Sequence, residues 1–182
     1  MTDEPAAQRE ANDRRATLAG DADAWADWVR RTYAPVEAYV RWLCGGVRDL
    51  ADDCLQETWV TAARQLRRFD PARGDFAGWV CGVARNVVRN QLRARRRHRA
   101  RHRPLPPDAA CPHRRDGEAV AEALAGLPER YEAVLRAKYL DGHSVREIAA
   151  AWGESKKAVE SLLTRARDAF RAAYPRSDHD DR

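Results

Sequence analysis

The sequence predicts an all-α protein made of two small helical domains joined by a flexible linker. Three observations predict it. Apolar residues recur at the i, i+3, i+4, i+7 spacing of amphipathic helices in both halves of the chain. Ser, Asp, Gly and Pro stand where such helices start and stop. Between the halves, residues 101–117 lose the apolar period and gain Pro104, Pro106, Pro107 and Pro112, which is the composition of a linker. The expected layout is a disordered tail over 1–16, a first domain over 17–100, the linker, a second domain over 118–174 and a tail over 175–182.

Taken in order, residues 1–16 are rich in Ala, Arg, Asp and Glu with no apolar period, and read as a frayed tail. Asp21 or Asp23 can cap a helix carrying Trp25, Trp28, Val29 and Tyr33. Pro35 then restarts a second helix, with Val36, Tyr39, Val40 and Leu43 inward, and Gly45-Gly46 ends it. The next helix, Asp49 to Arg67, has two well-separated faces. Leu50, Ala51, Cys54, Leu55, Thr58, Ala62 and Leu66 form the apolar stripe, and Asp49, Asp52, Asp53, Gln56, Glu57 and Val60 fall on the opposite side. Acids in a first turn suit the positive end of the helix dipole. Here they continue into a second turn with almost no basic partner, which fits a protein-docking patch and a plain solvated face equally.

The stretch from Arg64 to Arg103 holds 13 Arg and no Lys against Asp70 and Asp75, a formal charge of +11 in a chain of net charge +5. Within it, Phe69-Asp-Pro-Ala-Arg-Gly-Asp-Phe76 breaks the period. Pro71 and Gly74 are turn residues, and Asp75 can cap the next helix. That loop, framed by Arg67, Arg68 and Arg73, could hold an extruded base or simply connect two packed helices, and periodicity alone does not decide between them. The helix after it turns Phe76, Trp79, Val80, Val83, Ala84, Val87, Val88 and Leu92 inward, and Arg85, Asn86, Arg89 and Arg93 outward. Clustered arginine and a pI near 9.3 point to nucleic acid ahead of an anionic membrane surface.

In the second half, Ala119–Leu124 is a short helix and Leu127-Pro128 starts another, with Tyr131, Val134, Leu135, Ala137 and Tyr139, closed by Asp141-Gly142. Ser144 caps the next helix, with Glu147 at the capping-box position. Ala151-Trp-Gly-Glu154 is a tight turn, and Ser155 caps a long last helix. Its inward stripe is Val159, Leu162, Leu163, Ala166 and Phe170, leaving Lys156, Lys157, Glu160, Ser161, Thr164 and Arg165 outward. Two helices about a short Gly turn, the second longer and exposed near its start, outline a helix-turn-helix, an outline that a generic αα-hairpin shares.

Several function classes are set aside. No run of 18 apolar residues exists, so no membrane span is expected, and Met1–Arg15 has no signal-peptide core. Cys44, Cys54, Cys81 and Cys111 form no CxxC pair and read as reduced thiols of a cytoplasmic protein. Cys111-Pro-His113 offers two metal ligands without partners, which argues against zinc. There is no Gly-rich phosphate loop and no Ser/His/Asp set, so neither an enzyme nor a cofactor is expected.

Both halves resemble one family, and in its order. Asp49-Leu-Ala-Asp-Asp-Cys-Leu-Gln-Glu-Thr-Trp59 and Phe76-Ala-Gly-Trp-Val-Cys-Gly-Val-Ala-Arg-Asn86 are similar to conserved region 2 of the extracytoplasmic-function (ECF) sigma factors. Leu127-Pro-Glu-Arg-Tyr131, Leu140-Asp-Gly-His-Ser-Val-Arg-Glu-Ile-Ala149 and Val159-Glu-Ser-Leu-Leu-Thr-Arg-Ala-Arg167 resemble their region 4, and Ala19-Gly-Asp-Ala-Asp-Ala-Trp25 their opening helix. The resemblance implies a subunit of bacterial RNA polymerase that selects promoter DNA, bound through the β′ clamp helices and the β flap. An anti-sigma factor is the implied antagonist. It assigns Asp49, Asp52, Asp53, Gln56 and Glu57 to polymerase. Arg68, Phe69, Asp70, Arg73, Asp75, Arg85, Asn86, Arg89 and Arg93 go to the −10 element, with one base flipped into the loop. Ser155, Lys156, Lys157, Glu160, Ser161, Thr164 and Arg165 go to the −35 element, and Trp79 to the core. Glu160 and Leu162 depart from the family, which often carries basic residues at those places. The rival reading is a stand-alone helix-turn-helix regulator, which would have no use for the acidic face.

Overall fold

In a computed structural model, residues 6–101 and 112–174 are described, and among them the regular structure is entirely helical. Helix α1 spans Ala6–Leu18, α2 Ala22–Leu43 and α3 Arg48–Gln65; a 3₁₀ turn, Leu66–Arg68, then leads through a loop to α4, Phe76–Arg101. The second half holds α5 (Pro112–Gly126), α6 (Glu129–Tyr139), α7 (Val145–Trp152) and α8 (Lys156–Ala173). The described residues divide into two compact units, one up to residue 41 together with 48–91, the other 42–47 together with residues from 92 onward.

The first unit is built on aromatic residues. Trp28 is buried and stacks on Phe76 at 3.9 Å between ring centroids, while Phe69 meets both edge-on. The inward stripes of α2, α3 and α4 close around them, with Val36, Leu50, Cys54, Ala62, Val80, Ala84 and Val88 all buried. Thr58 is buried too, and its hydroxyl donates to the Cys54 carbonyl at 2.6 Å, so its oxygen is not stranded.

Three expectations need correction. Residues 6–16 are not a disordered tail but most of α1. They carry no apolar period because the helix is tied by polar contacts to distant residues: Arg14 donates to the Arg67 carbonyl at 3.1 Å, and Asp13 pairs with Arg31 of α2. Pro35 does not restart a helix; it lies inside α2. Proline in a helix interior costs about 3 kcal/mol. Burial of Trp28, Val36, Tyr39 and Val40 on either side of it offsets that cost. The expected linker is helical from Pro112, the first residue of α5, where a missing N–H is harmless. Residues 1–5, 102–111 and 175–182, and with them Cys111 and most of the linker, lie outside the described residues.

In the second unit the capping signals work as the sequence predicts. The Ser144 hydroxyl accepts from the Glu147 amide, and the Glu147 carboxylate accepts from the Ser144 amide at 2.7 Å. Gly153 closes α7 in the left-handed conformation at φ 64°, and Ser155 caps α8 through the Ala158 amide. Val134, Ile148, Val159, Leu163 and Ala166 form the buried centre.

Candidate nucleic-acid and polymerase interfaces

Helix α3 turns Asp49, Asp52, Asp53, Gln56, Glu57 and Val60 outward, all exposed, while Leu50, Ala51, Cys54, Leu55, Thr58 and Ala62 are buried. The two faces are therefore separated as an amphipathic helix requires. Asp52 has Arg41 at 3.7 Å, a loose surface pair with both side chains about half exposed. Such a pair contributes little to stability, and Asp52 keeps its place on the surface. Beside this face, Tyr33 of α2 stacks on Trp59 with the rings 7° from parallel.

The loop between the 3₁₀ turn and α4 encloses a cavity of about 500 Å³, lined by Arg68, Phe69, Asp70, Arg73, Gly74, Asp75, Gly78 and Trp79. Its shape is set locally. Asp70 accepts from the Ala72 amide at 3.1 Å, and Arg73 donates its amide back to the Asp70 carbonyl at 3.0 Å. Asp75 caps α4 by accepting from the Gly78 amide at 2.6 Å. Arg68, Asp70, Arg73 and Asp75 are exposed at the rim. Five of the residues assigned to the −10 element thus meet at one cavity, and Trp79, which the sequence placed in the core, lines it with them. Phe69, assigned to DNA, is 2% exposed and belongs to the aromatic core. Trp79, assigned to the core, is half-buried, lies 5.8 Å from the Phe76 ring, and offers its remaining surface to the cavity. A loop aromatic followed by another at helical spacing does not reveal which is the floor and which the wall.

From the cavity, Gly78, Gly82, Asn86 and Asn90 continue along α4 as an exposed strip. Arg85 and Arg89 flank it half-buried, and Arg93 is exposed at its end. The length from Trp79 to Arg93 is about 20 Å at 1.5 Å per residue. A cavity with an aromatic wall, opening onto an arginine-edged strip with small residues down its middle, fits an unstacked base and the strand that carries it.

In the second unit Ser155, Lys156, Lys157, Glu160, Ser161, Thr164 and Arg165 are all exposed on the first half of α8. Lys156 and Glu160 pair at 3.5 Å, and the Thr164 hydroxyl donates to the Glu160 carbonyl. Leu162 is buried, so of the two departures from the family only Glu160 lies on the exposed face. Elsewhere, α5, α6 and α8 frame an apolar groove with Leu124, Leu135, Tyr139 and Phe170; Tyr139 is 58% exposed and accepts a hydrogen bond from Arg167 at 2.8 Å.

The profile of sigma-70 region 2 matches residues 28–98, and that of sigma-70 region 4 matches residues 117–170. The chain belongs to the sigma-70 family. Among curated relatives it is 28% identical over 158 residues to the ECF RNA polymerase sigma factor BldN of Streptomyces coelicolor, and 26% identical over 133 residues to the ECF RNA polymerase sigma factor RpoE of Cereibacter sphaeroides. The first match covers 81% of this chain but 59% of BldN; the second covers 70% of this chain and 74% of RpoE. Among solved structures, CnrH in complex with the cytosolic domain of CnrY superposes with a TM-score of 0.50 at 27% identity, covering 93% of this chain and 96% of that one. These place the chain in the ECF group, with both conserved regions in family order. Among the described residues no helix is long and apolar enough to cross a membrane, and no cluster of His, Cys, Asp and Glu could hold a metal.

Proposed function

We propose that this chain is a dissociable subunit of bacterial RNA polymerase that selects promoters and opens them at the −10 element. The single observation that carries the reading is the pairing of two surfaces: an exposed acidic face on α3 and, on α4, an arginine-edged strip ending in a cavity with room for a base. A stand-alone regulator has no use for the first and no route to the second.

In this reading Asp49, Asp52, Asp53, Gln56 and Glu57 dock on the β′ clamp helices, and the groove of α5, α6 and α8 receives the β flap. Arg85, Asn86, Arg89 and Arg93 hold the non-template strand by its backbone, which supplies affinity that falls steeply with salt. Trp79 stacks on one extruded base, while Arg68, Asp70, Arg73 and Asp75 read its edge. Unpairing costs a few kcal/mol per base, and the bound polymerase and captured strand offset it without nucleotide hydrolysis. The exposed half of α8 enters the −35 major groove. The protein works by binding, not catalysis, in the cytoplasm where polymerase is. The relative CnrH is bound by a cytosolic protein domain, and an anti-sigma factor is the antagonist we assign to this chain.

Run-off transcription with core polymerase on a genomic library tests the reading and reports the promoter together. Asp53→Arg with Glu57→Arg places like charge against the docking partner, a cost of several kcal/mol. The double variant should lose polymerase in a pull-down while keeping its helical circular dichroism. Retention of polymerase by the double variant would move the docking site off this face of α3, and a wild-type chain that captures no polymerase would belong to the regulator class.

A further inference from the structure

Helix α1 lies outside the segment matched by the region 2 profile, which begins at residue 28. It reaches the −10 loop from behind at both of its ends. Where the chain enters the loop, Arg14 donates from Nη2 to the carbonyl of Arg67, the residue before Arg68 of the cavity wall. Where it leaves, half-buried Glu10 lies beside the Phe76 amide in the first turn of α4, next to Asp75 of the opposite wall, with its Oε2 buried and without a hydrogen-bond partner. Between those two contacts, Asp13 pairs with Arg31 and fixes α1 to α2. Arg14 and Glu10 are one helical turn apart, so a single rigid rod touches both ends of the loop.

At its base the two ends of the loop are already joined, with the rings of Phe69 and Phe76 5.4 Å apart. Its internal hydrogen bonds, through Asp70 and Asp75, are local. Local bonds shape each side of the rim but do not span it. The span across the rim is the width of the cavity, and its floor, Phe69, belongs to the packed core, which does not move easily.

We propose that α1 is a clamp that sets the width of the −10 cavity, with Arg14 and Glu10 as positioning residues for base capture. The clamp rests on the proposed role of that cavity in holding a base. Neither residue touches DNA; each acts through the backbone it holds, Arg67 on one side and Phe76 on the other.

The test uses the full chain with core polymerase and single-stranded oligonucleotides carrying the −10 strand of a promoter recovered by the transcription screen, intact or abasic at each position in turn. Arg14→Ala should lower the preference for the intact strand at one position about tenfold, leave polymerase binding within about twofold, and speed hydrogen exchange of the 69–78 amides selectively. Arg14→Lys, which keeps one donor, should restore part of the preference. Glu10→Ala should act like Arg14→Ala, and Glu10→Gln, which keeps an acceptor for the Phe76 amide, should not. Unchanged exchange in the loop would overturn the clamp, and so would faster exchange with the preference intact. A preference lost in step with polymerase binding and thermal stability would reduce α1 to general support and overturn it too. If the wild-type chain shows no positional preference although it binds polymerase, the cavity reading fails, and the clamp with it.

Discussion

Two carboxylates stand at helix N-termini in the two units and are pushed in opposite directions. Glu147, exposed in the first turn of α7, is held below the usual carboxylate range, first by the Ser144 amide and then by the Ser144 hydroxyl. Glu10 of α1, half-buried beside the start of α4, is pushed above it by burial; the Phe76 amide opposes the shift and the neighbouring Asp75 adds to it. Both sit at the positive end of a helix, so the dipole alone does not decide the direction. Solvent and like charge do. The contrast separates two ways of holding the start of a helix. The second unit caps α7 and α8 from within the local sequence and exposes them to water. The first caps α4 with Asp75 and then supports it with an acid from a distant helix, at the back of a cavity.

The largest effects should come from the cavity floor. Phe69→Ala removes a buried ring from the contacts with Trp28, Phe76 and Trp79, and should cost about 3–5 kcal/mol of unfolding free energy in a denaturant titration. Trp79→Ala, at the wall, should cost less stability but weaken binding of the −10 single strand by about 1–3 kcal/mol, the usual worth of one base–aromatic stack. If the two variants exchanged these effects, the assignment of floor and wall would be reversed.

The second unit should break more gently and locally. Ser144→Ala removes one side of the capping box and should destabilise by about 0.5–2 kcal/mol. The paired acids give a sharper contrast on a pH scale. The Glu147 contribution is full above the ordinary carboxylate value and is lost as pH falls through its lower folded value. Glu147→Gln should therefore be less stable than wild type near neutrality, with the gap closing on acidification. Glu10 has the opposite sign: its ionised form is penalised in the fold, and the penalty fades as pH falls through its raised folded value. Glu10→Gln should match or exceed wild type in thermal unfolding near neutrality, again converging in acid. Two gaps of the same sign would refute the contrast.

The same division explains what the sequence made legible. Ser144, Glu147, Gly153 and Ser155 act on residues within four positions of themselves, so α7 and α8 could be read with their ends. The opposed faces of α3 come from period alone. Helix α1 could not be read, because Arg14 and Arg67 are 53 residues apart and nothing in the local composition of either records the contact. Pro35 misled for a related reason: a local rule for breaking helices yielded to packing on both sides of it. Of the cavity, the charged rim was legible and the aromatic floor was not, since burial of Phe69 depends on where α2 and α4 place Trp28 and Phe76.

Glu160 offers the smallest test and bears on the second unit only. It is exposed on α8, paired loosely with Lys156, in a position that would face phosphate if α8 enters the major groove. Replacing it by arginine removes a repulsion, releases Lys156 from its partner and adds a phosphate contact. None of these depends on base sequence, so Glu160→Arg should raise affinity for duplexes of any sequence by a similar factor and steepen the salt dependence by about one contact. A gain confined to one sequence would mean that Glu160 reads a base edge, as a carboxylate can do through the amino group of cytosine. An unchanged or lower affinity would mean that this face of α8 does not meet DNA, and the second unit's contribution would then lie in its apolar groove.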